Sequence, residues 1–495
     1  MTTTKMTPLD RSWFFIESER VPVHGAFLCV FSPPSSAKHG HAKRVLAAMM
    51  RRPVAAPFNL KANLKNPLSP RWETTNVELS RHVIATTLAA PGSNTELLAA
   101  AAEAVRQPLD RSLPLWRVHW FDGLEKGQFA LLFVLHHAQW DGIAIFRMMR
   151  EFMSTSEKST QICAPWEGVS TWKKVVSDSA KSTGQGKSRA TGNRIIGLLR
   201  ESSSVVRDLS RVLAQQGMEK IRGTRDIPLP LSAPEARPEY AASAERTYGL
   251  VNVDVKRVKA IANTTATSFN DVLTTVVDAA YAKYLADIDM SPAKPLVALV
   301  PIAIKTQGAG NQISASFVSL GKPKTSLLSR LKAVSENMSS AKTDISSMSV
   351  LSAKVWAMLA MGVAATPDLL KIADRLPMSA NMMISNPYGI PETLYLGPNR
   401  LSFFAPLIGP SLGTRVMFGI YSYADRTYIS VTSLKSVVPD IAQLSELVTA
   451  SFDALEAAVL QKSAKPTARV KAVPKARKTA SVNSKALPRN AGRQR

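Results

Sequence analysis

The segment Gln128–Leu135, QFALLFVL, is a short apolar run bounded by turn and polar residues, and it leads directly into HHAQWDG and then into the helix-patterned IAIFRMMREFM. Such a run reads as a strand, so the chain must place two histidines, an aspartate and a glycine at a strand-to-helix junction. A strand end can hold a side chain by packing while letting it face a cavity. Because successive strand residues alternate faces, His136 and His137 are expected to point opposite ways, one catalytic and one structural. A histidine with an unperturbed pKa of ~6.5 is largely neutral near pH 7 and can take a proton from a hydroxyl. Asp141 either orients a histidine or locks the turn by pairing with an arginine, and Gly142 removes side-chain bulk where a substrate would approach. The residues alone leave a second reading open, a pair of partly buried histidines capped by a helix-initiating aspartate.

The placement of the histidines removes one class of enzyme. All 7 lie at or before position 137. The GxSxG match Gly409-Pro-Ser411-Leu-Gly413 therefore has no histidine after it, and it lies between two strands rather than at a strand-to-helix elbow, so it reads as a loop and not as a hydrolase nucleophile. The 2 cysteines, Cys29 and Cys163, show neither metal-ligand nor disulfide spacing, which fits a reducing compartment. The start, MTTTKMTPLDRSWFF, lacks the features of a secretory signal. The longest uncharged apolar stretch, Val355–Ala365, falls short of the ~20 residues a membrane-crossing helix needs; a buried helix is expected there, with a position at a lipid interface as the second reading.

At 495 residues the chain is too long for one ordinary core, and a hydrophobic content of 45% supplies enough apolar side chain for more than one. Residues 1–153 read as an N-terminal domain carrying the histidine motif. Residues 154–245, rich in Ser, Lys, Gly and Pro, read as a connection with its own helix near Ile195–Ile221. Residues 246–460 read as a second domain that opens on the strand TYGLVNVDV. A helix from Ser268 in that domain places Val272, Leu273, Val276, Val277, Ala280, Tyr281, Tyr284 and Leu285 on one buried face. Helices and strands recur in both halves, which predicts α/β architecture. Residues 461–495 form a Lys/Ala/Pro tail expected to be disordered. The net charge of +25 suits anionic partners, and the tail's cations leave three readings open: nonspecific, salt-dependent contact with polyanions such as nucleic acid, tethering to a membrane, or a solvated, dispensable extension.

Further segments carry a resemblance. LDRSWFFIE, the Pro114-Leu-Trp116 element, HHAQWDG, FNDVLTTVVDAAYAKYL with its Asn270-Asp271 pair, PLVALVPIAIK, GNQISASFVSL, ISNPYGI, LYLGPNR and SYADRTYISVTSLKSVVPD follow one another in the order seen in the bacterial wax ester synthase/diacylglycerol acyltransferase family. The chain resembles that family, within the CoA-dependent acyltransferase superfamily, from about residue 8 to 460. The resemblance implies two CAT-like α/β domains joined by a partly helical linker, with an active-site tunnel at their interface. It implies acyl-CoA as co-substrate without a further cofactor, and diacylglycerol or a fatty alcohol as acceptor. His137 would be the general base beside His136, Asp141 chiefly architectural, and Gly142, Asn270 and Asp271 close to the substrates. Asn270 and Asp271 keep a second reading, because Ser268 and Asp271 also make a helix-capping pattern. The expected setting is cytoplasmic, peripherally bound to the anionic inner membrane or to lipid droplets. Two rivals stand beside it: a noncatalytic lipid-surface protein on the same scaffold, and a peptide-synthetase condensation domain, which shares HHxxxDG.

Overall fold

The computed structural model describes residues 3–464 except 7–9, 12, 15–16, 18–22, 67–68, 141, 169–190, 237–244, 305–312, 371, 373–374, 388 and 410–412, with backbone alone at 142–143, 191–202 and 462–464. Asp141, Ser411 and the basic tail from 465 onward lie outside the described residues.

The first half runs β1 (Thr3–Lys5), β2 (His24–Ser32), α1 (His41–Met50), β3 (Leu60–Asn63), β4 (Arg71–Thr74), β5 (Val83–Thr87), α2 (Asn94–Arg106), β6 (Trp116–Asp122), β7 (Phe129–His136), α3 (Gly142–Phe152) and α4 (Thr191–Ile221). The second half runs β8 (Arg246–Asp254), α5 (Val255–Thr265), α6 (Phe269–Asp287), β9 (Val297–Ala303), β10 (Ile313–Ser319), α7 (Leu327–Ser346), α8 (Val350–Leu369) and β11 (Met382–Ser385). It ends with β12 (Tyr395–Leu396), β13 (Asn399–Pro406), β14 (Val416–Tyr423), β15 (Arg426–Leu434) and α9 (Ile441–Ala464).

Two mixed sheets dominate. One has the order β12-β13-β2-β7-β6-β5 and the other β10-β9-β11-β14-β15-β8, beside a small sheet β1-β4-β3. β7 is apolar throughout because both of its faces are covered. Phe129, Leu131, Phe133 and Leu135 enter a core with Trp116, Trp120 and Trp140. Ala130, Leu132 and Val134 face the opposite way, onto Leu97, Ala101 and Val105 of α2. The same alternation delivers His136 to the α2 side at the end of the strand.

The second sheet rests on α6, whose Val272, Leu273, Val276, Val277, Ala280, Tyr281, Tyr284 and Leu285 are all buried, the face expected from sequence. Its first turn is closed by a capping box between Ser268 and Asp271. The 246–460 segment does not stay with its own sheet. β12 and β13 leave it to complete the first sheet, where β13 lies antiparallel to β2, before the chain returns to β14. The crossing sews the two sheets together, and Tyr421, Tyr423 and Tyr428 of the second share a core with Phe27 and Phe133 of the first.

α8 corrects the expectation made for 355–365. Counting only uncharged residues stops the stretch at Lys354, but the helix runs through it, and at 20 residues α8 is long and apolar enough to cross a membrane by length and composition. With 39% of its apolar window buried, it departs from the buried helix expected first and leaves room for the second reading, a position at an interface.

Candidate active site

The β7–α3 junction fixes both imidazoles through the turn between them. The backbone N–H groups of Gln139 and Trp140 donate to the His136 carbonyl at 3.0 and 3.1 Å, which tightens the turn after the strand. The His137 N–H donates to the Val23 carbonyl at 3.0 Å, tying the motif to the start of β2. Trp140 anchors the turn in the core, 1% exposed and 4.9 Å from the Phe58 ring. The structure therefore holds the histidines by backbone geometry as well as by side-chain packing.

Hydrogen bonding assigns the tautomers. His137 Nδ1 lies 3.3 Å from the Trp140 carbonyl oxygen. A carbonyl only accepts, so Nδ1 carries the proton and Nε2 keeps its lone pair. At His136 the assignment is reversed. Its Nδ1 accepts from the Ala138 N–H at 3.1 Å, so Nε2 carries the proton and points at Glu17 Oε1, 3.4 Å away. That separation is long for a hydrogen bond.

Glu17 is the acid of this site. Arg111 Nε donates to its Oε2 at 2.9 Å. Burial works against the carboxylate, but His136 and Arg111 outweigh it and hold the pKa at about 2. Phe14 stacks on His136 with ring centres 4.9 Å apart, and Trp13 stacks on His137 at 5.2 Å. Burial, reinforced by neighbouring His136, lowers the His137 pKa to about 4, although its bond to Trp140 works the other way. His137 is consequently neutral across the ordinary pH range.

The free nitrogen faces a gap left by a glycine. A Cβ built on Gly25 would lie 3.6 Å from His137 Nε2 and 3.8 Å from its Cε1. The neighbouring residue, His24, is register partner of His136 across the β2–β7 ladder. His24 spends its Nε2 on the Val105 carbonyl at 2.7 Å, and burial lowers its pKa to about 4.

Sequence-derived candidates divide here. His136 and His137 come together with opposite tautomers, and Gly142 begins α3 immediately beyond the turn. Asn270 and Asp271 sit elsewhere, in the first turn of α6. Asp271 Oδ2 accepts from the Ser268 N–H at 2.9 Å and from Ser335 Oγ at 2.9 Å, so much of its capacity goes to capping the helix. Asn270 accepts from the side-chain amide of Asn386, which ties α6 to the turn after β11. Among the described residues, neither makes a hydrogen bond or ion pair with the histidine pair. The reading of the motif missed Trp13, Phe14, Glu17, Arg111 and Gly25. LDRSWFFIE signalled its importance only as a segment, with nothing in its spacing to show that Glu17 meets a histidine on β7.

The chain matches the model of the wax ester synthase/diacylglycerol acyltransferase catalytic domain over residues 6–273 and that of the WS/DGAT C-terminal domain over 309–456. A probable diacylglycerol O-acyltransferase of Mycobacterium tuberculosis is 32% identical over 460 residues, covering 92% of this chain and 96% of the relative. The structure of a wax ester synthase/diacylglycerol acyltransferase from Marinobacter aquaeolei superposes with a TM-score of 0.67 at 21% identity, covering 92% of this chain and all of that one. The first condensation domain of the calcium-dependent antibiotic synthetase shares the fold more distantly, with a TM-score of 0.56 at 13% identity over 93% and 97% of the two chains. With the two-sheet fold, the paired imidazoles and a family match over more than half its length, this chain belongs to the wax ester synthase/diacylglycerol acyltransferase family.

Proposed function

We propose that the protein transfers a long-chain acyl group from acyl-CoA to a lipid hydroxyl, that of diacylglycerol, a fatty alcohol or both, with His137 as general base and no covalent acyl-enzyme. The observation that carries this reading is the His137 tautomer: Nδ1 is committed to Trp140, and Nε2 faces the space beside Gly25. A base must have a free lone pair within reach of the proton it takes. The names of the mycobacterial and Marinobacter relatives support the choice of acceptors.

In this mechanism His137 Nε2 takes the hydroxyl proton as the acceptor oxygen attacks the thioester carbonyl. The new C–O bond forms, the C–S bond breaks as the tetrahedral intermediate collapses, and the imidazolium returns its proton to the departing thiolate. A pKa of about 4 makes His137 a weak base but a ready donor in that last step. Glu17 keeps His136 oriented, and His136 in turn borders His137. An architectural role for Asp141 and substrate contacts for Gly142, Asn270 and Asp271 rest on the family motif alone. Acyl-CoA is a co-substrate and no other cofactor is required.

The protein works at the surface of a membrane or lipid inclusion, because its substrates reside there and its charge of +25 favours anionic lipid. A thiol-reactive dye tests the reaction by following CoA release. Release that depends on adding hexadecanol or a diacylglycerol supports the reading, whereas release at the same rate without any acceptor makes the protein a thioesterase instead.

A further inference from the structure

We propose that the outward face of α8, with the adjoining face of α4, is the surface that docks the protein on anionic lipid. The proposal deepens the lipid-acyltransferase reading and rests on it. α8 is inverted relative to an ordinary surface helix. Its buried positions are small, Ser352, Ala353, Ala357, Ala360 and Ala364 among them. Trp356 packs inward against the core, but other large apolar side chains point out: Leu351 is 43% exposed, Met358 52%, Leu359 53%, Leu369 49% and Leu370, just past the helix end, 62%. Positions 351, 358, 362 and 369 recur at helical spacing, and a Cβ at Gly362 would meet nothing within 4 Å, so the face is open along the helix. Exposed apolar residues are normally scattered singly, whereas a continuous stripe marks a binding surface.

α4 packs against α8. Asp208 of α4 accepts from the Ser349 N–H at 2.9 Å and from Ser352 Oγ at 2.8 Å, locking the two helices together. Val206 is 64% and Leu213 56% exposed on the same helix. Exposed charged side chains of α4 among the described residues are the cations Arg207, Arg211 and Lys220, with Arg222 just past its end. The acids Asp208 and Glu219 are half-buried in pairs with Arg211 and Arg225. An apolar stripe bordered by cations fits an anionic lipid surface, and it disfavours a second copy of this chain, which would oppose like charges. The helix lies on such a surface rather than crossing it. Its inner side is packed on β10, and Asp368 near its end is buried in an ion pair with Arg415 at 3.1 Å.

Flotation of the full chain with vesicles of phosphatidylcholine and phosphatidylglycerol, and with phosphatidylcholine alone, provides the test. The double substitution Met358→Glu/Leu359→Glu should lower vesicle partitioning about tenfold or more, and Met358→Ser/Leu359→Ser should lower it less, with melting temperatures near that of the wild type. Both variants should keep the wild-type rate on a short acyl-CoA and a water-miscible alcohol, while the Glu variant loses its rate on vesicle-borne acceptor. Unchanged partitioning of the Glu variant overturns the docking surface, as does wild-type protein that floats with neither vesicle. A dimer that the Glu variant converts to monomer, with flotation unaffected, assigns the face to a second copy instead. If flotation depends on the stripe but no acceptor is ever acylated, the docking surface stands and the acyltransferase reading falls.

Discussion

Substitution Gly25→Ala should separate catalysis from stability. The new methyl carbon would sit 3.6 Å from His137 Nε2 and 3.6 Å from Phe27 Cε2, both ordinary contact distances, so the fold can accept it. An alanine inside a strand is favoured over glycine by about 0.5–1 kcal/mol on backbone grounds. Stability should therefore hold or rise slightly. Catalysis should not. A hydroxyl must come within about 2.6–3.2 Å of Nε2 to surrender its proton, and the methyl fills that side of the nitrogen. Trp13 already covers one face of the ring at 5.2 Å, which leaves little alternative room. Positioned general-base catalysis is worth roughly 10²–10⁴-fold, or about 3–5 kcal/mol, and most of it should disappear. Steady-state kcat/KM with acyl-CoA and a hydroxyl acceptor, measured beside a thermal melt, gives both quantities. A variant that melts like the wild type and turns over at the same rate would refute the approach of acceptor past Gly25.

Glu17→Gln removes the charge that His136 and Arg111 share, a loss of about 1.5–3 kcal/mol if the contact orders the site, so kcat should fall roughly tenfold or more with partial recovery in Glu17→Asp; an unchanged pH–rate profile and rate would remove Glu17 from the site. Buried His24 and His119, both lowered by burial to about 4, should make the protein acid-sensitive. The unfolded chain binds protons near 6.5 and the folded chain only near 4, so their stabilising contribution is complete above 6.5 and is lost as pH falls through that window, at about 1.4 kcal/mol per histidine per pH unit. Denaturant midpoints that do not move between pH 7 and pH 5 would contradict this. His137, also lowered to about 4, should keep kcat/KM level well below the ordinary histidine range, and an inflection at 6.5 would show its environment to be wetter than the structure has it. Asp278→Ala should cost about 3–5 kcal/mol in chemical denaturation, because Arg330, bonded to Asp278 at 2.6 Å and 9% exposed, would be left buried without its partner; a loss below 1 kcal/mol would mean that the guanidinium finds water.

Local periodicity carried much of the fold. β7, β14 and the buried face of α6 can be read from apolar spacing because each is a continuous element whose neighbours only complete what its own sequence demands. The return of β12 and β13 to the first sheet cannot be read that way, since no local pattern says which sheet an apolar strand will join. The same limit applies to the site. HHAQWDG announces its imidazoles, but the acid that meets His136 comes from the N-terminal segment, and the space beside Nε2 is set by a glycine whose strand gives no sign of what lies opposite. Asn270 and Asp271 illustrate the converse. Their pairing marks the helix start, and Asp271 spends its Oδ2 on Ser268 and Ser335. Trp116 belongs with the core, 1% exposed and donating from its indole N–H to the Phe58 carbonyl at 2.7 Å. The length of α8 is not legible from charge-free spacing, because the helix runs through Lys354.

The central claim is tested most directly by incubating purified protein with acyl-labelled palmitoyl-CoA and either hexadecanol or a diacylglycerol, resolving the lipids, and running His137→Ala in parallel. The account predicts labelled wax ester or triacylglycerol from the wild type and none above background from a variant that melts normally. Equal product from His137→Ala, or no labelled ester from the wild type with either acceptor, would contradict it.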